Sequence, residues 1–156
     1  MRKITFILPL IFMSCVRNGI DSIVVQYNNS SEINLFKGLY IVQFMDKEDF
    51  CYNFSISENE IIEVKRIYDN QNISNYEKEL LIVDDKPLIM PTSDTKYVVS
   101  LSNGNKQTFI VRTDYRNNPL DTEKYKNLKV FIEKINDIIK SKKEIKDAEK
   151  SNILYF

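Results

Sequence analysis

Residues 95–113 read TKYVVSLSNGNKQTFIVRT, and this stretch decides the fold. Two runs rich in β-branched and aromatic residues, Thr95 to Ser102 and Lys106 to Thr113, flank Asn103-Gly104-Asn105. That pattern predicts a β-hairpin. Its register follows from the side chains each turn would gather. A two-residue Asn-Gly turn sets Val99 against Thr108 and Tyr97 against Ile110. A three-residue loop sets Val99 against Phe109 and Tyr97 against Val111. It also collects Tyr97, Val99, Leu101, Phe109 and Val111 on one face, with Lys96, Ser100, Thr108 and Arg112 opposite. A slip of one residue scatters that set. The three-residue loop is therefore expected, with Asn105 in the left-handed region that asparagine tolerates.

Beyond the hairpin, Asp114 to Asn117 is a polar segment leading to a helix. Asn118 is placed to cap it, Pro119 suits its first position, and Asp121 and Glu123 suit the positive end of its dipole. Leu128, Phe131, Ile132, Ile135, Ile138 and Ile139 recur at helical spacing. Lys126, Lys129, Glu133, Asn136, Asp137 and Lys140 cover the other side. The stripe is too short for a sustained coiled coil, so it is expected to dock on the sheet. Lys140 to Lys150 has little apolar face and is expected to be frayed and solvated. Ile153-Leu154-Tyr155-Phe156 is expected to dock on the core, because a free apolar tail is a liability.

Upstream, Ile20 to Tyr27 reads as a strand ending in the turn cluster Asn28-Asn29-Ser30-Ser31. Ile33 to Met45 is broken at Lys37-Gly38, with Leu39 to Met45 strand-like and Asp46 to Asp49 a polar turn. Phe50 to Ser57 alternates, with Phe50, Tyr52, Phe54 and Ile56 on a face expected to be core. Cys51 falls on the polar face, as a small semi-buried residue. Ser57-Glu58-Asn59-Glu60 has the form of a capping box. It opens a short helix over residues 58–70, with Ile61, Val64 and Tyr68 on one side and Asn70 and Asn72 as stops. Leu80 to Val83 and Leu88 to Met90 flank Asp84-Asp85-Lys86-Pro87, a hairpin or tight crossover. The fold class that results is α+β: an antiparallel sheet against a long C-terminal amphipathic helix, with a second short helix near residues 58–70.

The first fifteen residues, MRKITFILPLIFMSC, belong to a different kind of segment. Arg2 and Lys3 precede an uncharged run from Ile4 to Met13. As a helix that run would reach roughly 15 Å, about half a hydrocarbon core, so it is too short to span a membrane. A basic flank, a short apolar run and the small Ser14 are the layout of a secretory signal. Phe12-Met13-Ser14-Cys15 resembles the lipobox of bacterial lipoprotein precursors, with Phe12 in place of the usual leucine and Met13 larger than the usual residue. The resemblance implies cleavage after residue 14, diacylglycerol on the Cys15 thiol and acylation of the new amine. Several acyl chains at about 0.8 kcal/mol per buried methylene make such an anchor effectively permanent. The domain organisation is then a signal peptide over 1–14, a lipidated tether over 15–19, and a single α+β domain over 20–156. The location implied is the cell envelope, with the membrane as partner through Cys15.

Composition narrows the function. The chain carries 22 basic and 22 acidic residues, and loss of Arg2 and Lys3 leaves a slightly acidic product. It has no electrostatic basis for holding nucleic acid. There is no histidine, which removes His-based triads, His-containing zinc sites and an imidazole switch. With lipid on Cys15, Cys51 has no disulfide partner. Asn28, Asn29, Asn53 and Asn72 fit the Asn-X-Ser acceptor pattern, which here reflects an Asn- and Ser-rich composition. The adjacent Asp84 and Asp85 read as a solvated turn. No catalytic, cofactor-binding or metal-ligating residues are assigned. The reading is a lipid-anchored envelope protein with a non-catalytic interaction or binding module. Its variants are an inhibitor or immunity-type protein and a small-ligand carrier. An enzyme reading would need a carboxylate pair, as in a glycan hydrolase, drawn from Glu60, Asp84, Asp85 and Asp114.

Overall fold

The computed structural model describes residues 19–28, 30–84, 94–113 and 122–153. The chain runs through β1 (Ile20–Tyr27), β2 (Ser31–Asn34), β3 (Leu39–Val42), β4 (Phe50–Asn53) and α1 (Glu58–Asn70). A 3-10 turn (Ile73–Asn75), β5 (Glu79–Asp84), β6 (Asp94–Leu101), β7 (Lys106–Thr113), α2 (Thr122–Ser141) and the short α3 (Lys143–Lys146) follow. The strands form one sheet in the order β4-β3-β2-β1-β6-β7-β5. Every pair is antiparallel except β5 with β7, which is parallel. The class is α+β, with α1 and α2 packed on one face of the sheet.

The parallel pair departs from an all-antiparallel expectation, and the cause is connectivity. β4 and β5 are the two edges of the sheet. The segment between them must cross six strand spacings, roughly 29 Å at about 4.8 Å each. α1, with 13 residues, is about 20 Å long at 1.5 Å per residue. β5 and β7 run the same way because β6, antiparallel to β7, separates them in the chain, while β7 lies between β6 and β5 in the sheet. β5 supplies the first half of the expected hairpin over residues 80–90. Its described neighbour is β7, and β6 lies on the far side of β7; Leu88 to Met90 lie outside the described residues.

The β6–β7 loop has three residues, but they are Ser102-Asn103-Gly104. Leu101 N–H donates to Asn105 O at 2.9 Å, and Gly104 N–H donates to Leu101 O at 2.9 Å. The expected pairs of Val99 with Phe109 and Tyr97 with Val111 are replaced by Val99 with Gln107 and Tyr97 with Phe109. Gly104, at φ +82°, takes the left-handed position assigned to Asn105. With no Cβ it adopts that conformation without strain. The loop slides one residue along the chain, which preserves the side-chain parity. Tyr97, Val99, Leu101 and Phe109 therefore face the core as expected, and all are buried. Gln107 is buried among them.

β1 has the expected limits and contains a bulge between Ile20 and Ser22. The extra residue lets Ile20 and Ile23, three apart, both face inward. At the β1–β2 turn Asn28 adopts φ +44°. Its Oδ1 accepts from Asp94 N–H at 2.6 Å, which ties the turn to the start of β6. The capping box forms as read: Ser57 Oγ accepts from Glu60 N–H, and Glu60 Oε2 accepts from Ser57 N–H at 2.8 Å. Val64 and Tyr68 are the buried side of α1, with Ile61 only half-buried. The helix ends at Asn70, and Asn72 takes φ +51° at the stop.

All six stripe residues of α2 are buried, from Leu128 to Ile139. Phe131 meets Tyr68 at 5.6 Å and Phe109 at 6.5 Å between ring centroids, joining both helices to the sheet. Asn136, expected at the surface, accepts from Tyr97 O–H at 2.9 Å. The N-cap residues Asn118 and Pro119 lie outside the described residues, as do Asp121 and the polar segment 114–117.

The C-terminal continuation is docked, not frayed. Lys142 Nζ donates to both oxygens of Glu60 at 2.8 Å, α3 packs near β4, and Ile145 lies against the core. Lys142 can do this because the turn after α2 directs it back to the start of α1. Ile153 is half-buried, and Leu154 to Phe156 lie outside the described residues.

Candidate interaction surface

The segment from Gln43 to Asn53 closes one corner of the sheet. Val42 is buried at the end of β3, and Phe44 follows it inward at 9% exposure. Polar residues Asp46 to Asp49 then turn the chain, as read from the sequence, and β4 returns along β3. At this corner the inward alternation of Phe50, Tyr52 and Phe54 does not give a uniform core face. Phe54 is 7% exposed, Tyr52 is half-buried and Phe50 is 44% exposed. The gradient arises because β4 is an edge strand and only its far end lies under the helices. Met45 is 72% exposed, the most open of the large apolar side chains among the described residues. Cys51 is a free thiol and fully on the exposed side, not semi-buried as expected, because its face of the edge strand has no described layer over it.

Aromatic contacts hold the corner in shape. Phe44 and Phe50 meet edge to face at 5.6 Å, and Tyr40 and Tyr52 lie 6.0 Å apart. Lys47 Nζ stands 4.0 Å from the Phe44 ring centre and 4.9 Å from that of Phe50. It also pairs with Glu149 at 2.5 Å. The tail straps the corner from one side. Ser151 Oγ donates to Gln43 O, Met45 N–H donates to Asn152 Oδ1, Asn152 Nδ2 donates to Asp46 Oδ1, and Glu149 N–H donates to Tyr52 Oη. Each of these bonds is exposed and contributes little alone. Their sum orders a loop that would otherwise have few contacts.

Backbone geometry leaves one edge open. Phe54 N–H donates to Gly38 O at 2.8 Å, so the residues that bond β3 are Phe54, Tyr52 and Phe50. The N–H and C=O groups of Cys51 and Asn53 therefore point away from the sheet. No described residue bonds them.

The carboxylates considered for catalysis do not converge. Glu60 is committed to the capping box and to Lys142. Partial burial acts to raise its pKa, but the bonds from Lys142 and Ser57 outweigh it and hold the carboxyl below the usual range. Asp84 closes β5 at the opposite edge. Asp85 and Asp114 lie outside the described residues, as does the lipidation candidate Cys15. Among the described residues, no cluster of three cysteines, aspartates or glutamates is arranged to hold a metal ion. A shallow depression of about 280 Å³ is lined by Ile62, Lys65, Arg66, Asp69 and Asn70 on the outer side of α1. It does not lie behind Phe50, Tyr52 and Phe54, where a cavity would support the small-ligand carrier variant. No described helix is long and apolar enough to cross a membrane.

The features that sequence reasoning missed are Gln107 and the strap. Gln107 sits in the alternating pattern of β7 as an ordinary polar residue, so its spacing gave the signal of an inward position but its chemistry argued against it. No known family model, curated protein or solved structure matches this chain.

Proposed function

We propose that the chain is an exported lipoprotein, anchored through Cys15, whose folded part is a non-catalytic interaction module of the cell envelope. An inhibitor or immunity-type protein that covers a partner is one form of this role. The observation that carries the reading is the short stretch of sequence between the lipobox-like motif and β1. Gly19 O accepts from Ser102 N–H at 2.8 Å and from Ser102 Oγ at 2.9 Å. Only Val16 to Gly19 separate Cys15 from β1, a reach of about 14 Å when extended. A leader that ends this close to a fold is suited to cleavage and anchoring, with no stalk. The aromatic corner lies at the other end of the strands, roughly 26 Å further out along an eight-residue strand. An anchored domain would thus present the corner away from the lipid.

The anchor is tested by growing cells with an alkyne-bearing palmitate and following label on the full chain. The wild type should take up label, and Cys15→Ser should lose it and remain as uncleaved precursor. Labelling that persists in Cys15→Ser would overturn the lipoprotein reading.

A further inference from the structure

The corner carries three properties that belong together. The first is apolar exposure at Met45 and Phe50. The second is the row of outward N–H and C=O groups on Cys51 and Asn53. The third is a rim of carboxylates: Asp46, Glu48 and Asp49 are all exposed, and none is in an ion pair among the described residues. Lys47, the one cation of the loop, is already engaged by Glu149 and by two aromatic rings. The loop therefore sets three exposed carboxylates, without an ion pair among the described residues, beside an apolar side chain and an open strand edge.

Edge strands are commonly protected by charge, proline or a bulge within the strand. Phe50-Cys51-Tyr52-Asn53 has none of these. Its protection is its short length and the acidic loop at its start. Such a loop repels an anionic strand and attracts a cationic one. We propose that β4 and the Met45–Asp49 loop are the docking site for an extended, basic segment of a partner protein. The segment adds a strand outside β4, bonding Cys51 and Asn53. It lays an apolar side chain against Phe50 and sets Lys or Arg side chains against Asp46, Glu48 and Asp49. Main-chain bonds supply the register and the side chains supply the selectivity, as in strand addition generally.

The inference rests on the reading of the domain as an interaction module, but not on the anchor. The test uses nitrogen-15-labelled full-length protein in neutral detergent, titrated with an acetylated, amidated Lys-Val-Lys-Phe-Lys-Val-Lys-Val peptide. A matched peptide with glutamate in place of lysine is the control. The cationic peptide should shift the amide signals of residues 45–53 and slow hydrogen exchange at Cys51 and Asn53. Phe50→Ser, and separately the combined Asp46→Asn, Glu48→Gln and Asp49→Asn variant, should each weaken binding at least tenfold. Phe50 also packs on Phe44 and Asp46 accepts from Asn152, so each variant's spectrum is first compared without peptide and should match the wild type outside the corner and the tail that straps it. The proposal is overturned by equal binding of the glutamate peptide. It is also overturned by shifts centred away from β4, or by no shift at roughly 1 mM peptide, the weak end of specific recognition. Protection of the same amides by self-association in the absence of peptide would assign the edge to a second copy and overturn it as well. Cys15→Ser should bind the peptide as the wild type does, so failure of the anchor reading and failure of this one are separable.

Discussion

Gln107 is the polar residue buried in the core among the described residues, at 4% exposure, and its removal tests how the sheet holds α1 and the 3-10 turn. Its Nε2 donates to Ile73 O at 3.1 Å and to Tyr76 O at 3.0 Å, while its Oε1 accepts from Tyr68 O–H. Gln107→Leu removes two donors and one acceptor at nearly constant volume. The three groups left behind are not equal. Ile73 O still accepts from Tyr76 N–H at 3.0 Å. Tyr76 is half-buried, so water can reach its carbonyl. The Tyr68 hydroxyl, on a fully buried residue, has no other described partner. An orphaned buried hydroxyl costs about 1–3 kcal/mol, and two weakened carbonyls add about 1 kcal/mol. The leucine recovers part of this as apolar contact, roughly 1 kcal/mol. The expected net loss is about 2 kcal/mol.

A double-mutant cycle isolates the argument from simple packing. Tyr68→Phe alone should cost about 1–2 kcal/mol, because it strands Gln107 Oε1. In the Gln107→Leu background the same change should be neutral or stabilising, since it removes the orphaned hydroxyl. Urea unfolding followed by far-ultraviolet circular dichroism gives all four corners of the cycle. A coupling of about 1–2 kcal/mol is expected. Additive losses within about 0.3 kcal/mol would refute the network, and so would a Gln107→Leu protein as stable as the wild type. Burial pushes the Tyr68 phenol up to about 12, so the hydroxyl stays protonated as a donor throughout the accessible pH range.

Two further outcomes follow from other elements. Gly38, at φ +62°, would place a Cβ 2.1 Å from Phe54 O, so Gly38→Ala must open the β3–β4 end and should cost more than about 2 kcal/mol. Gly104→Ala, at φ +82° in open space, should cost only about 1 kcal/mol of backbone strain; equal thermal shifts for the two would refute the steric account. Glu60→Gln keeps the capping bond but loses the Lys142 pair, which is partly exposed and worth less than about 1 kcal/mol near neutral pH. The folded carboxyl sits below its unfolded value, so this stability is present above about pH 4 and disappears as pH falls through the folded pKa. Urea midpoints of wild type and Glu60→Gln should therefore converge as pH falls through the folded pKa, and a gap that widens on acidification would contradict the assignment.

What was legible in the sequence was whatever depends on near neighbours. The stripe from Leu128 to Ile139 is a local periodicity, and the helix buries all six residues. Ser57 and Glu60 read as a capping box because the reciprocal bonds close within one turn. The inward face of the hairpin was also local, since sliding its loop by one residue did not change parity. What could not be read depends on where a strand lies in the sheet. Phe50 to Phe54 alternates as a central strand would, yet it sits at the margin and leaves Phe50 and Cys51 open. β5 gave no sign of its parallel partner, because nothing within it encodes how far α1 has carried the chain. Lys142 and Glu149 looked like solvated charge, since their acceptor and donor partners lie about a hundred residues upstream or nearly so.

The openness of β4 nevertheless has a local cause four residues beyond its end. Had residues 54–57 formed a second tight turn, the next strand would have paired with the outward groups of Cys51 and Asn53. Ser57 and Glu60 instead commit the chain to a helix, at a cost of about 1 kcal/mol to undo. That helix carries the chain over the core to the opposite edge, where β5 adds beside β7. The capping box thus ends the sheet on one side and dictates which strand is left without a neighbour. A surface made by Phe50 and Met45 is set by the turn chemistry of Ser57.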